Sequence, residues 1–247
     1  MPFGGSYRII DFALTNCLHS GLRRIMVMTQ YNALSLHNHI RDGWSIYNTD
    51  LGEYVMPVTP PIQSTVSTYA GNADALYKNL YLLDGAREEN VLLVAGEQIY
   101  RMDYAAVLAW HNQQGADVTI GCVPPSNANG GHFQAGIDLD GDVVKAVHRN
   151  KLVANADEDL WLPMGVKVIK RTTLIDLLHT LDGADPSDLS VSELVGRNLG
   201  SCKRVAAYRF GGTSGRVTRD RYWRRLDSLD HYYTANMDLL ELEPPLD

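Results

Sequence analysis

The sequence predicts an α/β protein, a parallel sheet covered by helices, on three observations. Strand-period and helix-period segments alternate along the chain. Several short apolar runs have the length of buried strands. A capped helix lies between two of them. Arg24-Ile25-Met26-Val27-Met28-Thr29 reads as the first buried strand, and Val91-Leu92-Leu93-Val94-Ala95, stopped by Gly96, as the second. Val118-Thr119-Ile120-Gly121-Cys122-Val123 is a third. The helix 104–114 between the last two has Asp103 as its N-cap and Gly115 as its stop. A helix is predicted over 72–84, with Ala73, Leu76, Leu80 and Leu83 on one face and Asn72 as its cap. The stretch 130–147 reads as two strands around the turn Asp138-Leu139-Asp140-Gly141. Then come a strand at Met164-Gly165-Val166-Lys167-Val168-Ile169, helices at 172–181 and 190–199, a strand at Val205-Ala206-Ala207-Tyr208 and a last helix over 228–240. Asp227 reads as the N-cap of that last helix.

Composition narrows the function classes. The 247 residues are 45% hydrophobic and 21% charged, the profile of a globular protein with room for one α/β domain. The net charge of -7, with basic residues scattered, argues against a nucleic-acid face. No apolar run has the length of a membrane span, and the N-terminus lacks the features of a signal peptide. Three cysteines, Cys17, Cys122 and Cys202, are too far apart for a zinc site; their odd number points to reduced thiols and a cytoplasmic location. Cys17 and Cys122 sit in apolar stretches and read as buried small hydrophobes. His37 and His39 read as exposed polar positions.

Several strings resemble one family, in order and over essentially the whole chain. They include Pro2-Phe3-Gly4-Gly5-Ser6-Tyr7-Arg8-Ile9-Ile10-Asp11-Phe12, Thr15-Asn16-Cys17-Leu18, Thr29-Gln30-Tyr31 and Gly71-Asn72-Ala73-Asp74-Ala75. Further along come Gly96-Glu97-Gln98-Ile99-Tyr100-Arg101-Met102-Asp103-Tyr104, Gly115-Ala116-Asp117-Val118-Thr119, Met164-Gly165, Tyr222-Trp223-Arg224 and Ala235-Asn236-Met237-Asp238-Leu239-Leu240. Together they are similar to the nucleotidyltransferase domain of the bacterial ADP-glucose pyrophosphorylases (glucose-1-phosphate adenylyltransferases). The resemblance implies a Rossmann-like nucleotidyltransferase fold, a mainly parallel sheet with helices on both faces, binding nucleotide at the carboxyl ends of the strands. It implies a reaction as well: ATP and glucose-1-phosphate give ADP-glucose and pyrophosphate with Mg²⁺, in glycogen biosynthesis. Such transfer needs positioning and charge neutralisation more than covalent help.

The same resemblance points to missing and altered parts. The family's first strand and Gly-rich phosphate loop, and its C-terminal β-helix domain, are expected to be absent, leaving 1–241 as the domain and 242–247 as a tail. Glu97 stands where the family's strand-end Asp binds Mg²⁺; a solvated Glu is the alternative. Arg225 replaces a second metal-binding carboxylate, and a cation there repels Mg²⁺. On the sugar side the family's Glu-Lys pair falls near His148-Arg149, so Arg149 keeps the positive charge, while His148 lacks the carboxylate that would accept sugar hydroxyls. Gln134 and Gly165 belong to the same side, with Pro163 in place of a Ser. On the nucleotide side Tyr69, Gly71 and Asn72 match the family's helix start, and Gln30, at the end of a central strand, is placed to face a base edge. Asp74 and Asp103 are helix-start acids, favourable there whatever the function.

These features imply a family member with impaired catalysis. The alternatives are a non-catalytic partner that assembles with a full-length homologue, and an inactive fragment. Neither nucleic acid nor membrane is an expected partner. A dinucleotide-binding protein is disfavoured because no G-x-G-x-x-G follows a predicted strand.

Overall fold

Strand β10 (Leu160–Lys170) organises the protein, because it is apolar along most of its length and buried on both faces. The computed structural model describes residues 1–61, 68–124, 135–149, 160–182, 189–211 and 222–246. β10 pairs antiparallel with β5 (Asn90–Val94) on one side and β7 (Val118–Val123) on the other. β11 (Val205–Arg209) pairs parallel with β7. The hairpin of β8 (Ala135–Asp140) and β9 (Val143–Arg149) follows, and β8 returns to β10. The order is therefore β5-β10-β7-β11-β9-β8, with the last five strands closed into a small barrel-like ring.

This corrects the expected mainly parallel, Rossmann-like sheet. β5, β7 and β11 run one way, while β10, inserted between β5 and β7, runs the other. Periodicity reports which faces of a strand are buried and carries no information on its direction. The helices do cover both faces. α3 (Asn72–Lys78), α4 (Leu80–Asp84), α6 (Arg171–His179) and α7 (Val191–Arg197) share a core with Ile120, Ile169 and Leu93. α5 (Tyr104–Gln113) and Cys17 of α1 (Ile9–His19) pack with Val166 and Val168 on the opposite face.

A second parallel pair stands apart from the large sheet. β3 (Arg24–Met28) lies beside β4 (Tyr54–Val58), with α2 (Leu34–Gly43) between them in the chain. Among the described residues neither β3 nor β5 has a strand on its other edge. β6 (Gln98–Tyr100) and β12 (Trp223–Arg225) form a short antiparallel pair, and β1 (Pro2–Phe3) pairs with β2 (Tyr7–Arg8). Phe3 and Ile99 form a small core with Ala235 of α8 (Leu229–Asp238), so the two ends of the chain meet.

Local signals explain the helix ends. Asp103 accepts the backbone N–H groups of Ala105 and Ala106, as expected of an N-cap, and Gly115 (φ 58°) takes the left-handed turn past α5. Ser190 and Glu193 form a reciprocal capping box at α7. The helix expected over 72–84 is interrupted at Asn79, whose buried amide donates to the Ala75 carbonyl (2.8 Å) and to Tyr69 Oη (2.9 Å). Asn72 is not a cap; its Oδ1 accepts the Val191 N–H (2.8 Å) and ties α3 to the start of α7. Ser228, not Asp227, caps α8, and Asp227 is drawn to Arg225 and His231. No helix among the described residues is long and apolar enough to cross a membrane.

Candidate functional site

Because β5, β7 and β11 are co-directional, their carboxyl ends share one edge of the sheet, and the start of β10 lies at that edge too. β5 ends at Val94, and the turn Ala95-Gly96-Glu97 carries an exposed Glu97 out of the sheet. Gly165 in β10 locks against this turn. It takes a left-handed conformation (φ 77°), and an added Cβ would lie 2.6 Å from both Ala95 Cβ and Gln98 Nε2. The Ala95 N–H donates to the Gly165 carbonyl at 2.9 Å. The pairing of β10 with β7 slips between Pro163 and Lys167, so Gly165 sits in a bulge, a device that bends a strand and re-aims its side chains.

Arg225 arrives beside Glu97 from β12. It lies opposite Gln98, and the next residue, Leu226, donates its N–H to the Glu97 carbonyl (3.0 Å). Trp223 Nε1 donates to Gln98 Oε1 (3.1 Å) and fixes the pair from within. The nearest carboxylate to Arg225 is Asp227, 3.7 Å from its Nε, a distance that leaves this buried nitrogen without a hydrogen bond. Glu97, Gly165 and Arg225 are thus brought together.

Gln30, Tyr69, Gly71 and Asn72 form a second group. Gln30 follows β3 in the separate strand pair, not in a central strand of the large sheet. Its Oε1 accepts the Tyr69 N–H at 2.9 Å. Burial pushes the Tyr69 hydroxyl above its ordinary range. Gly71 precedes α3 in extended conformation, and Asp74 is buried, pairs with Lys78 (2.7 Å) and accepts the Ala70 N–H (2.8 Å). The segment 68–74 is therefore held by its own polar contacts.

The sugar-side residues fall on the β8–β9 hairpin. His148 lies across from Gly136, and its Nε2 is 2.6 Å from Asp138 Oδ2, so a carboxylate stands beside the histidine. Arg149 ends β9 opposite Ala135; its side chain lies outside the described residues, as does Gln134.

The residues present do not fit a protein-held Mg²⁺. No cluster of three His, Cys, Asp or Glu side chains suited to a metal occurs among the described residues. Among the described residues, Glu97 at this edge has Arg225 alongside, and Asp227 is the carboxylate nearest that guanidinium. A divalent ion about 6 Å from a guanidinium meets roughly 5 kcal/mol of repulsion at an effective dielectric of about 20.

One charged residue at this edge escapes a motif-based reading. Lys167, two positions beyond Gly165, is 6% exposed, and its amine is lowered to about 8 by burial, with Glu97 acting in the opposite sense. The available signal was a lysine inside a strand that is apolar on both faces. The expectation for the two histidines needs adjusting. His37 and His39 are half-buried and hydrogen-bonded, to Thr29 Oγ1 (2.9 Å) and Asp11 Oδ1 (2.7 Å). Cys17 and Cys122 are buried and their thiols are pushed up to about 12, so both are inert small hydrophobes.

A mixed sheet under helices on both faces has the α/β character of a nucleotidyltransferase domain. The protein-family model for nucleotidyl transferases matches residues 1–241, and the chain belongs to that family. A relative from Vibrio parahaemolyticus, glucose-1-phosphate adenylyltransferase 2, is 41% identical over 251 residues, covering 100% of this chain and 62% of the relative. The protein of the same name from Vibrio vulnificus (strain YJ016) is also 41% identical, with the same coverage. The glucose-1-phosphate adenylyltransferase of Saccharophagus degradans is 37% identical over 252 residues, of which the chain covers 59% of the relative's length. The chain thus spans about three fifths of the length of these curated relatives.

Proposed function

We propose that this chain binds a nucleoside triphosphate and a sugar 1-phosphate as a glucose-1-phosphate adenylyltransferase-type protein of glycogen biosynthesis, with transfer between them strongly impaired. Arg225 carries this reading: it stands in the strand beside Glu97, where the resemblance calls for a second carboxylate. The nucleotide belongs with Gln30, Tyr69, Gly71 and Asn72. The sugar phosphate belongs with His148, Arg149, Gln134 and Gly165. Mg²⁺ enters only as an ion carried on the nucleotide's phosphates, with Glu97 a carboxylate at the edge available to it. Cytoplasmic location fits the reduced thiols and the substrates.

A second reading has a specific observation behind it. The strings that resemble the family hold the fold together, whereas the charged positions at the sheet edge have changed. That division suits a non-catalytic subunit that assembles with a full-length homologue.

Thermal melting of the purified chain with and without ligands tests the binding claim. Saturating ATP and glucose-1-phosphate are each expected to raise the melting temperature, because a ligand that binds only the folded state stabilises it. No shift with either would remove the basis for the assignment.

A further inference from the structure

We infer that the polar junction beneath the C-terminal end of α5 is an acid-sensitive latch, in which neutral His111 holds the last turn of the helix on the sheet and protonation releases it. His111 is 1% exposed. Its Nδ1 is 2.8 Å from Thr119 Oγ1 in β7, and its Nε2 is buried with no hydrogen-bond partner among the described residues. In one neutral tautomer Nδ1 donates to the threonine oxygen and Nε2 is a bare lone pair. In the other the hydroxyl donates to Nδ1 and Nε2 carries the hydrogen. Adding a proton gives the same product from either, an imidazolium whose Nε2–H is buried without an acceptor. A buried charge lacking that hydrogen bond costs more than a buried neutral ring, so the folded junction resists a proton that the unfolded chain accepts.

The neighbours of the ring are already engaged. Strand alternation sets Asn90, Lys170, Asp117 and Arg204 in a row under α5, at the amino ends of β5, β7 and β11. Lys170 and Asp117 pair with each other (2.9 Å), and Asp117 also accepts the Lys203 N–H, while the Lys203 side chain is exposed. Arg204 donates to Gln114 at the end of α5, and α5 itself has no other ionisable group but Tyr104 at its far end. Burial lowers His111, Lys170 acts in the same sense, and Asp117 and Glu89 oppose them. Asp117 is held below its ordinary range, so it stays ionised while histidine titrates. Asn90 Oδ1 is buried and unpartnered as well, with its Nδ2 fixed on Asn112 Oδ1 (3.2 Å).

The turn that opens is short. The N–H groups of Gln114, Gly115 and Ala116 donate to the carbonyls of Trp110, Asn112 and His111 at 2.9, 3.0 and 3.2 Å. Trp110 Nε1 donates to the Ala207 carbonyl of β11 (3.2 Å). Asp117 follows at once, so release of the turn reaches the row that joins β7, β10 and β11. This junction lies at the opposite end of the sheet from the Glu97 turn and does not depend on the nucleotidyltransferase reading.

Hydrogen exchange on the whole chain, read by mass spectrometry at pH 7.5 and pH 5.5 and corrected for the intrinsic pH dependence of exchange, tests this. Protection across residues 108–117 of the wild type should fall about fivefold or more at the lower pH. In His111→Asn the amide can still meet Thr119 but takes no proton, and protection there should be the same at both pH values. His39, His148, His179 and His231 stand beside aspartates and titrate too, so the difference between variant and wild type carries the comparison. Equal wild-type protection at both pH values would overturn the inference and show that Asn90 Oδ1 or another group accepts the proton. An equal fall in wild type and variant would overturn it as well, assigning the acid response elsewhere. Should His111→Asn fail to fold, nuclear magnetic resonance of the wild-type His111 ring decides: its midpoint should lie below the ordinary value of about 6.5, and a midpoint at or above that value would contradict the latch.

Discussion

Lys167 and Arg225 set the electrostatics at the residue scale, and each makes a prediction. Lys167 titrates near 8 when folded against an ordinary 10.5. Below about pH 8 it is charged in folded and unfolded chains alike, and the full burial penalty applies. Between about 8 and 10.5 the unfolded chain holds the proton that the folded chain has released, so stability rises with pH, by roughly 3 kcal/mol in all. Cys17 and Cys122 oppose this above about pH 9, because their thiols ionise in the unfolded chain first. The comparison is therefore wild type against Lys167→Met by urea unfolding at pH 7 and pH 9. The wild type should gain on the variant at the higher pH, and parallel curves would show that burial does not lower the amine. For Arg225, changing it to Asp should set a second carboxylate beside Glu97. Mn²⁺ affinity, followed by electron paramagnetic resonance, should then rise about tenfold or more. Unchanged affinity would mean that Arg225 is not what keeps a metal out.

Secondary elements are joined by a few buried polar residues, and these are the residues the sequence strings make conspicuous. Asp11 accepts Trp44 Nε1 (2.9 Å) and the Arg8 N–H (2.7 Å), fastening α1 to α2. Asn16 bonds both the Tyr100 carbonyl (3.1 Å) and the Met102 N–H (3.2 Å), fastening α1 to the end of β6. Asp238 gathers Tyr222 (2.8 Å) and Arg224 (2.9 Å) beneath α8. Asp117 accepts Lys170 Nζ (2.9 Å) and the Lys203 N–H (2.7 Å), joining β7 to β10 and to the approach of β11. Burial raises the Asp117 carboxyl, but these hydrogen bonds outweigh it and hold the group below its ordinary range. Asp117→Ala leaves a cation and a backbone donor unpaired, and should cost about 3 kcal/mol in chemical denaturation. A loss under about 0.5 kcal/mol would show that the junction holds without it.

What was legible in the sequence follows from the same physics. The buried runs of β7, β10 and β11 and the cap at Asp103 carry their signal locally, in apolar residues and one side-chain oxygen. Strand direction does not, so the antiparallel insertion of β10 could not be read. β6 and β12 are too short to show a period, yet they are what places Arg225 beside Glu97. Asn72 and Asp227 have good capping chemistry and lie near helix starts, but tertiary partners, Val191 and His231, claim their oxygens instead. Glu97 and Gly165 were visible as motif positions. Lys167 was hidden because a motif draws the eye to what matches, and its significance comes from burial.

For the molecule as a whole, the packing strings build a closed ring of strands with helices on both faces, while Arg225 stands beside Glu97 at the sheet edge. β3 and β5 also keep unpaired edges among the described residues, which expose backbone donors and acceptors to a further strand. In the proposed reading folding and catalysis are separable, the first resting on contacts that are present and the second on the charges beside Glu97. The most direct test is Mg²⁺-dependent pyrophosphate release from ATP and glucose-1-phosphate, on chain that melts cooperatively. The account predicts no release above a no-enzyme control. Sustained release, abolished by Glu97→Gln, would contradict it and show that one carboxylate among these cations is enough for transfer.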